Sequence, residues 1–154
     1  YRCFYFGFEN MQKHIIDLLS KEDRKANQNA VILKMRTMPD IFAYKNKLGY
    51  LLEVKYREKL DEEKVILGWN CKNYREFWNE AHLVFCSPNS DKILTCCVKD
   101  IKENMVVARS RIGEFYNLSR ILKPIEEEFR DLNKDALKDI GKYIGAIYQV
   151  HKSL

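Results

Sequence analysis

The segment GYLLEVKYR, residues 49–57, carries two charged side chains inside an otherwise apolar run. Its alternating pattern predicts a β-strand, in which successive side chains point to opposite faces of the sheet. Glu53 and Lys55 would then share one face with Leu51. Because a buried charge is costly unless it is paired or used, these two residues are the first candidates for chemistry.

A second carboxylate precedes this strand by one predicted hairpin. Asp40 opens the strand PDIFAYK, and the polar stretch KNKLG between the two strands predicts a turn. The hairpin would bring Asp40 beside Glu53, close enough to share an ion. Carboxylate oxygens without cysteine or histidine partners favour Mg²⁺ or Mn²⁺ over zinc. Such an ion activates water for phosphodiester hydrolysis, and Lys55 is placed to orient that water or to stabilise negative charge.

Pro39 and Asp40, followed by Glu53, Val54 and Lys55 in an apolar strand, resemble the signature of the PD-(D/E)xK nuclease superfamily. The order helix, strand, Pro-Asp strand, ExK strand, helix, strand is also similar to the common core of that superfamily. The resemblance implies an α/β fold, a restriction-endonuclease-like mixed β-sheet flanked by helices. Archaeal Holliday-junction resolvases are similar in compactness and in the order of elements.

The same resemblance implies a function and a set of roles. It implies a metal-dependent nuclease that hydrolyses DNA, with Mg²⁺ or Mn²⁺ held by Asp40 and Glu53 and with Lys55 as the activating residue. Glu9, in GFENMQKHIIDLL, matches a carboxylate that assists metal binding and catalysis in many members. The backbone carbonyl of Val54 is implied as a further metal ligand.

The distribution of charge predicts a polyanionic partner. Residues 1–60 hold 12 Lys or Arg against 7 Asp or Glu, whereas residues 61–154 hold 15 of each, so the first part carries the whole net charge of +5. A basic surface attracts nucleic acid. We therefore expect contacts to the nucleic-acid backbone from Arg36, Arg57 and Lys59, and the resemblance implies a further phosphate contact from Lys72.

Hydrophobic periodicity predicts the elements that position these residues. One domain over residues 1–154 is expected, with a core at 8–101 and a helical C-terminal extension at 113–154. Helices are predicted at 8–22, 73–81, 124–133 and 135–151, and further strands at NAVILKM (29–35), HLVFCS (82–87) and KILTCCVKDI (92–101).

Several aromatic residues near basic ones invite a base-stacking interpretation. Tyr74, Phe77 and Trp78 recur at helical spacing, which favours a place in the core. Tyr74 and Lys72 also begin the helix after the ExK strand, from which polar side chains reach the site in the resembling superfamily. Trp69 lies in a predicted loop and is the better stacking candidate.

Composition excludes some classes and leaves others open. The five cysteines form no CxxC pair, which favours reduced thiols in a cytoplasmic compartment, and no apolar run is long enough to span a membrane. Two alternatives to the nuclease stay open: a catalytically inactive nucleic-acid-binding module of the same fold, and a structural protein that forms a homodimer through its C-terminal helices. The stripe for such a dimer is Leu137, Ile140, Ile144 and Ile147.

Overall fold

The computed structural model of the protein describes residues 1–5, 30–68 and 71–142. A six-stranded sheet is the largest element among them, and a three-stranded sheet packs beside it. In spatial order the large sheet contains β1 (Arg2–Tyr5), β2 (Ile41–Lys45), β3 (Leu48–Tyr56), β5 (His82–Ser87), β6 (Ser90–Cys97) and β9 (Lys123–Pro124). The small sheet contains β4 (Val65–Ile66), β8 (Gly113–Tyr116) and β7 (Val106–Ser110).

The predicted hairpin between the Pro-Asp strand and the ExK strand is confirmed. β2 and β3 pair antiparallel, and Ile41 lies opposite Leu52. Their two-residue turn places Asn46 at φ 53° and Lys47 at φ 66°. A turn with both central residues at positive φ matches the twist of the flanking strands, so the short polar connection fixes the register.

β3 and β5 run parallel, and every other described pairing in the large sheet is antiparallel. The predicted mixed sheet is thereby confirmed. A parallel pair needs a crossover, and the segment between these two strands contains the predicted helix, α2, over Cys71–Phe77. The crossover lays α2 on the face of the sheet to which Glu53 and Lys55 point.

The prediction of a strand at NAVILKM is wrong, because Ala30–Arg36 forms helix α1. The Thr37 hydroxyl donates to the Leu33 carbonyl at 2.9 Å and stabilises the end of this helix. The place beside β2 is occupied instead by β1, the segment Arg2–Tyr5. Because β1 occupies the position beside β2, the segment Ala30–Arg36 is not needed as a strand. Tertiary context thus overrides strand propensity here.

The prediction of a helical extension over 113–154 is wrong for residues 113–124. Strands β7, β8 and β9 lie within residues 106–124, and in the described residues helix follows only at α3 (Ile125–Glu128) and over 134–142. Gly113 allows the β7–β8 hairpin to pack tightly: its φ is 137°, and a Cβ there would lie 2.4 Å from the Cα of Gly68. The predicted helices at 8–22 and beyond residue 142 lie outside the described residues.

The large sheet has a hydrophobic core on each face. On one side Leu83, Phe85, Tyr74 and the small sheet pack together, with Leu51 partly buried against them. On the other side Leu52, Val54 and Val84 pack against segments that follow β9, including Phe129 and Leu137. The predicted alternation of β3 side chains is confirmed. Leu137 and Ile140 cover the chain's own sheet, while Ile144 and Ile147 lie outside the described residues.

All five cysteines are free thiols, and four of them are buried. Within residues 1–5, 30–68 and 71–142, no helix is both long enough and apolar enough to cross a membrane.

Candidate active site

The centre of the site is an ion pair on β3. Lys55 Nζ donates a hydrogen bond to Glu53 Oε1 at 2.6 Å. The two side chains are only 15% and 11% exposed, so the pair lies largely out of water. The same-face arrangement expected from strand alternation is confirmed. Its cost in desolvation is offset only by close pairing and further hydrogen bonds.

Tyr74 supplies those further hydrogen bonds. Its hydroxyl donates to Glu53 Oε1 at 2.7 Å and accepts from Lys55 Nζ at 3.1 Å. Each of the three polar groups therefore contacts the other two, and we refer to Glu53, Lys55 and Tyr74 as the Glu53 cluster. Lys55 Nζ also lies 5.0 Å from the centre of the Tyr74 ring. The crossover helix α2 is thus tied to β3 through polar atoms as well as through the core.

Asp40 stands next to this cluster on the hairpin. Its Oδ2 accepts a hydrogen bond from the backbone N–H of Val54 at 2.8 Å. Since Ile41 is paired with Leu52, continuation of the register places Asp40 at the level of Glu53. The expected convergence of Asp40 on the strand that carries Glu53 is confirmed, and the bond to Val54 holds the Asp40 carboxylate there.

Burial and charge set the protonation states of the cluster. Burial alone lowers the pKa of Lys55, but the Glu53 carboxylate and the Tyr74 oxygen outweigh it and hold that pKa well above its ordinary value. Burial also raises the pKa of Tyr74, with Lys55 opposing and Glu53 reinforcing the rise. At neutral pH the cluster therefore contains an ammonium group and a neutral phenol.

The donor set agrees with a hard divalent cation. Asp40, Glu53 and the Val54 carbonyl offer only oxygen, which Mg²⁺ and Mn²⁺ prefer. Both described hydrogen bonds to the Glu53 carboxylate go to Oε1, so Oε2 accepts none from the described residues. In that part of the chain no group of three or more His, Cys, Asp or Glu side chains is gathered as a metal site. Glu9, the expected third carboxylate, lies outside it.

The four residues expected to contact nucleic acid lie in different settings: two are exposed, one is half-buried and one ends a helix. Lys59 and Lys72 are exposed, as that role requires. Arg57 is half-buried, and its guanidinium donates to the carbonyls of Tyr56 and Ile66, so it joins β3 to β4. Arg36 is the last residue of α1. Trp69, the stacking candidate, lies outside the described residues.

Sequence reasoning assigned Tyr74 to the core or to a phosphate contact and missed its bonds to Glu53 and Lys55. Its side chain does lie in the core, at 4% exposure. A signal was available, because a helix that links two parallel strands must cross one face of the sheet. A tyrosine on such a helix can reach charged groups on that face with its hydroxyl while its ring stays buried.

No model of a known protein family matches the chain, and no curated protein matches it. Among solved structures, the chain is similar to Hjc of Archaeoglobus fulgidus, a Holliday junction resolvase from an archaeal hyperthermophile. The similarity has a TM-score of 0.39 and 21% sequence identity, and it covers 59% of this chain and 73% of that chain.

Proposed function

We propose that this protein is a metal-dependent nuclease of the PD-(D/E)xK type that hydrolyses phosphodiester bonds in DNA. The observation that carries the proposal is the buried pair of Glu53 and Lys55 on β3, with the Asp40 carboxylate fixed on the Val54 N–H. Replacing a buried ion pair by apolar side chains of similar volume is often neutral or stabilising, so stability alone does not require this pair. Its position beside a second carboxylate on a hairpin favours a catalytic use.

Asp40, Glu53 and the Val54 carbonyl would hold Mg²⁺ or Mn²⁺, which when bound polarises a phosphoryl oxygen and lowers the pKa of water. Lys55 contributes its positive charge, which stabilises the negative charge that grows on the phosphate in the transition state. Lys55 Nζ donates to Glu53 Oε1 at 2.6 Å, so it lies as a hydrogen-bond donor beside the proposed ligands.

The direct test is cleavage of circular and linear DNA in the presence of Mg²⁺, Mn²⁺ or EDTA. Asp40→Asn and Lys55→Met should each abolish cleavage that the wild type shows with metal. Asp91→Asn and Lys123→Met are matched controls, because both residues are exposed on the sheet away from the Glu53 cluster. Circular dichroism establishes that each variant is folded. Cleavage of the circular DNA identifies an endonuclease. Equal cleavage by all variants would contradict the proposed site.

DNA as the partner has its own test in the exposed lysines. Lys59→Glu and Lys72→Glu should weaken binding to DNA regardless of sequence, and each should reduce the slope of log K against log salt by about 1. Lys123→Glu changes another exposed lysine, on the edge strand β9, and should leave the slope unchanged. An identical loss of affinity in all three variants would show that binding depends on overall charge alone.

A nucleic-acid-binding module without catalysis is the second candidate function. The observation that favours it is the saturation of Glu53 Oε1 by Lys55 and Tyr74, which leaves few carboxylate atoms for a cation. A module of this kind would bind DNA equally well with EDTA and with Mg²⁺ and would never cut it. The same cleavage assay therefore separates the two functions.

A further inference from the structure

Tyr74 links the candidate site to the core that surrounds its ring. Its hydroxyl lies 2.7 Å from Glu53 Oε1 and 3.1 Å from Lys55 Nζ. A phenol has one proton to donate and a lone pair to offer, and both are used here. Among the described residues, it is the side chain from outside β3 that bonds both members of the ion pair.

The contacts of Tyr74 divide the Glu53 carboxylate into two functionally different atoms. Oε1 receives both the phenol and the ammonium, so this oxygen is held toward α2. A carboxylate is planar, so fixing one oxygen fixes the direction of the other. Partners that hydrogen-bond to a ligating carboxylate fix its orientation and strengthen cation binding.

We propose that Tyr74 is a positioning residue that sets the affinity of the site for a divalent cation by holding Glu53 in place. The proposal rests on the metal-dependent nuclease proposed above and goes beyond it. Without the hydroxyl, Lys55 loses one of its two acceptors and Glu53 loses one of its two donors. The Glu53 carboxylate is then held by Lys55 Nζ alone, at 2.6 Å, so the direction of Oε2 is no longer fixed for a cation.

The test is the affinity of the whole chain for Mn²⁺, measured from the electron paramagnetic resonance signal of free Mn²⁺. Tyr74→Phe keeps the buried ring and removes only the hydroxyl. It should weaken Mn²⁺ binding by about 10-fold or more, in line with the effect of removing such a partner in other metal sites. Cleavage by Tyr74→Phe should recover when Mn²⁺ is raised by the same factor, which a loss of folding would not produce.

Tyr116→Phe is the matched control. Tyr116 is also buried in the same core, and its hydroxyl also donates to a carboxylate, Glu114, at 2.7 Å. This variant should lose a similar hydrogen bond and bind Mn²⁺ as the wild type does. Mn²⁺ affinity unchanged in Tyr74→Phe, or lowered equally in both variants, would overturn the positioning role while leaving the nuclease intact. A wild type that neither binds Mn²⁺ nor cleaves would overturn both proposals.

Discussion

Removal of the charge on Glu53 should destabilise the fold strongly and in a pH-dependent way. Glu53→Gln retains an oxygen that can accept from Tyr74 and Lys55, so it deletes the charge with little change of shape. Breaking a buried pair by neutralising one partner costs about 3–5 kcal/mol, and we expect about 3 kcal/mol because the amide still accepts hydrogen bonds. The loss of unfolding free energy cannot exceed about 4–5 kcal/mol at pH 7, because Lys55 would release its proton if keeping the charge cost more. This limit is the cost of neutralising a lysine of ordinary pKa at pH 7.

The pH dependence distinguishes this mechanism from a simple packing defect. In the wild type the pKa of Lys55 is raised, so the stability it contributes is present below its unfolded pKa and is lost only at still higher pH. In Glu53→Gln the burial remains but the attracting charge is gone, so the pKa of Lys55 should fall below its ordinary value. The unfolded state then binds more protons, and the variant should gain stability as the pH rises from 7 toward 10.

Urea unfolding of both proteins at pH 7 and pH 9.5, followed by circular dichroism, measures these effects. Asp91→Asn is the matched control, because Asp91 is fully exposed and pairs with Lys138 at a similar distance, 2.7 Å, so its loss should leave the urea midpoint unchanged. The double variant Glu53→Gln with Lys55→Met should recover much of the loss. A midpoint for Glu53→Gln that matches the wild type at both pH values would refute a buried, paired Lys55.

Three further changes test the fold around the site, each by urea unfolding. Gly113→Ala should cost about 2 kcal/mol or more, because φ is 137° and the new Cβ would lie 2.4 Å from Gly68; normal stability would contradict the tight packing of the hairpin. Lys47→Gly should raise stability by about 0.5 kcal/mol, because φ is 66°; a loss would argue against the turn described. Phe129→Ala should cost about 3–5 kcal/mol, because the ring is buried and lies 5.1 Å from that of Tyr50; a change below about 1 kcal/mol would contradict that packing.

The hairpin and the faces of β3 could be predicted because their signals are local. Proline and glycine mark the ends of the strands, and alternation of side chains places Glu53 and Lys55 on one face. The approach of Asp40 to the same strand follows from a two-residue turn. These are interactions between residues close in sequence, and one pattern determines them.

The errors arose where partners are distant in sequence or where one pattern fits two structures. AVILKMR is a short apolar run, and periodicity does not separate a buried strand from a short helix of this kind. The strand β8 lies between its local hairpin partner β7 and the distant β4, where Tyr116 lies opposite Val65, about fifty residues away along the chain. The role of Tyr74 depends on the orientation of a crossover helix, which no pattern within β3 contains.

The parallel pairing of β3 with β5 has a consequence for how the chain avoids aggregation while it folds. We expect β3 to pair with β2 early, because those contacts are local, and its other edge to stay unpaired until the crossover forms. During that interval the strand edge is unpaired and open to pairing with other chains, and its apolar residues are Leu51, Leu52 and Val54. Glu53 and Lys55 interrupt that run with two charges, and charged residues within an apolar strand oppose intermolecular pairing. We therefore expect that replacing both with apolar residues would give a protein that is stable once folded but prone to aggregate on refolding.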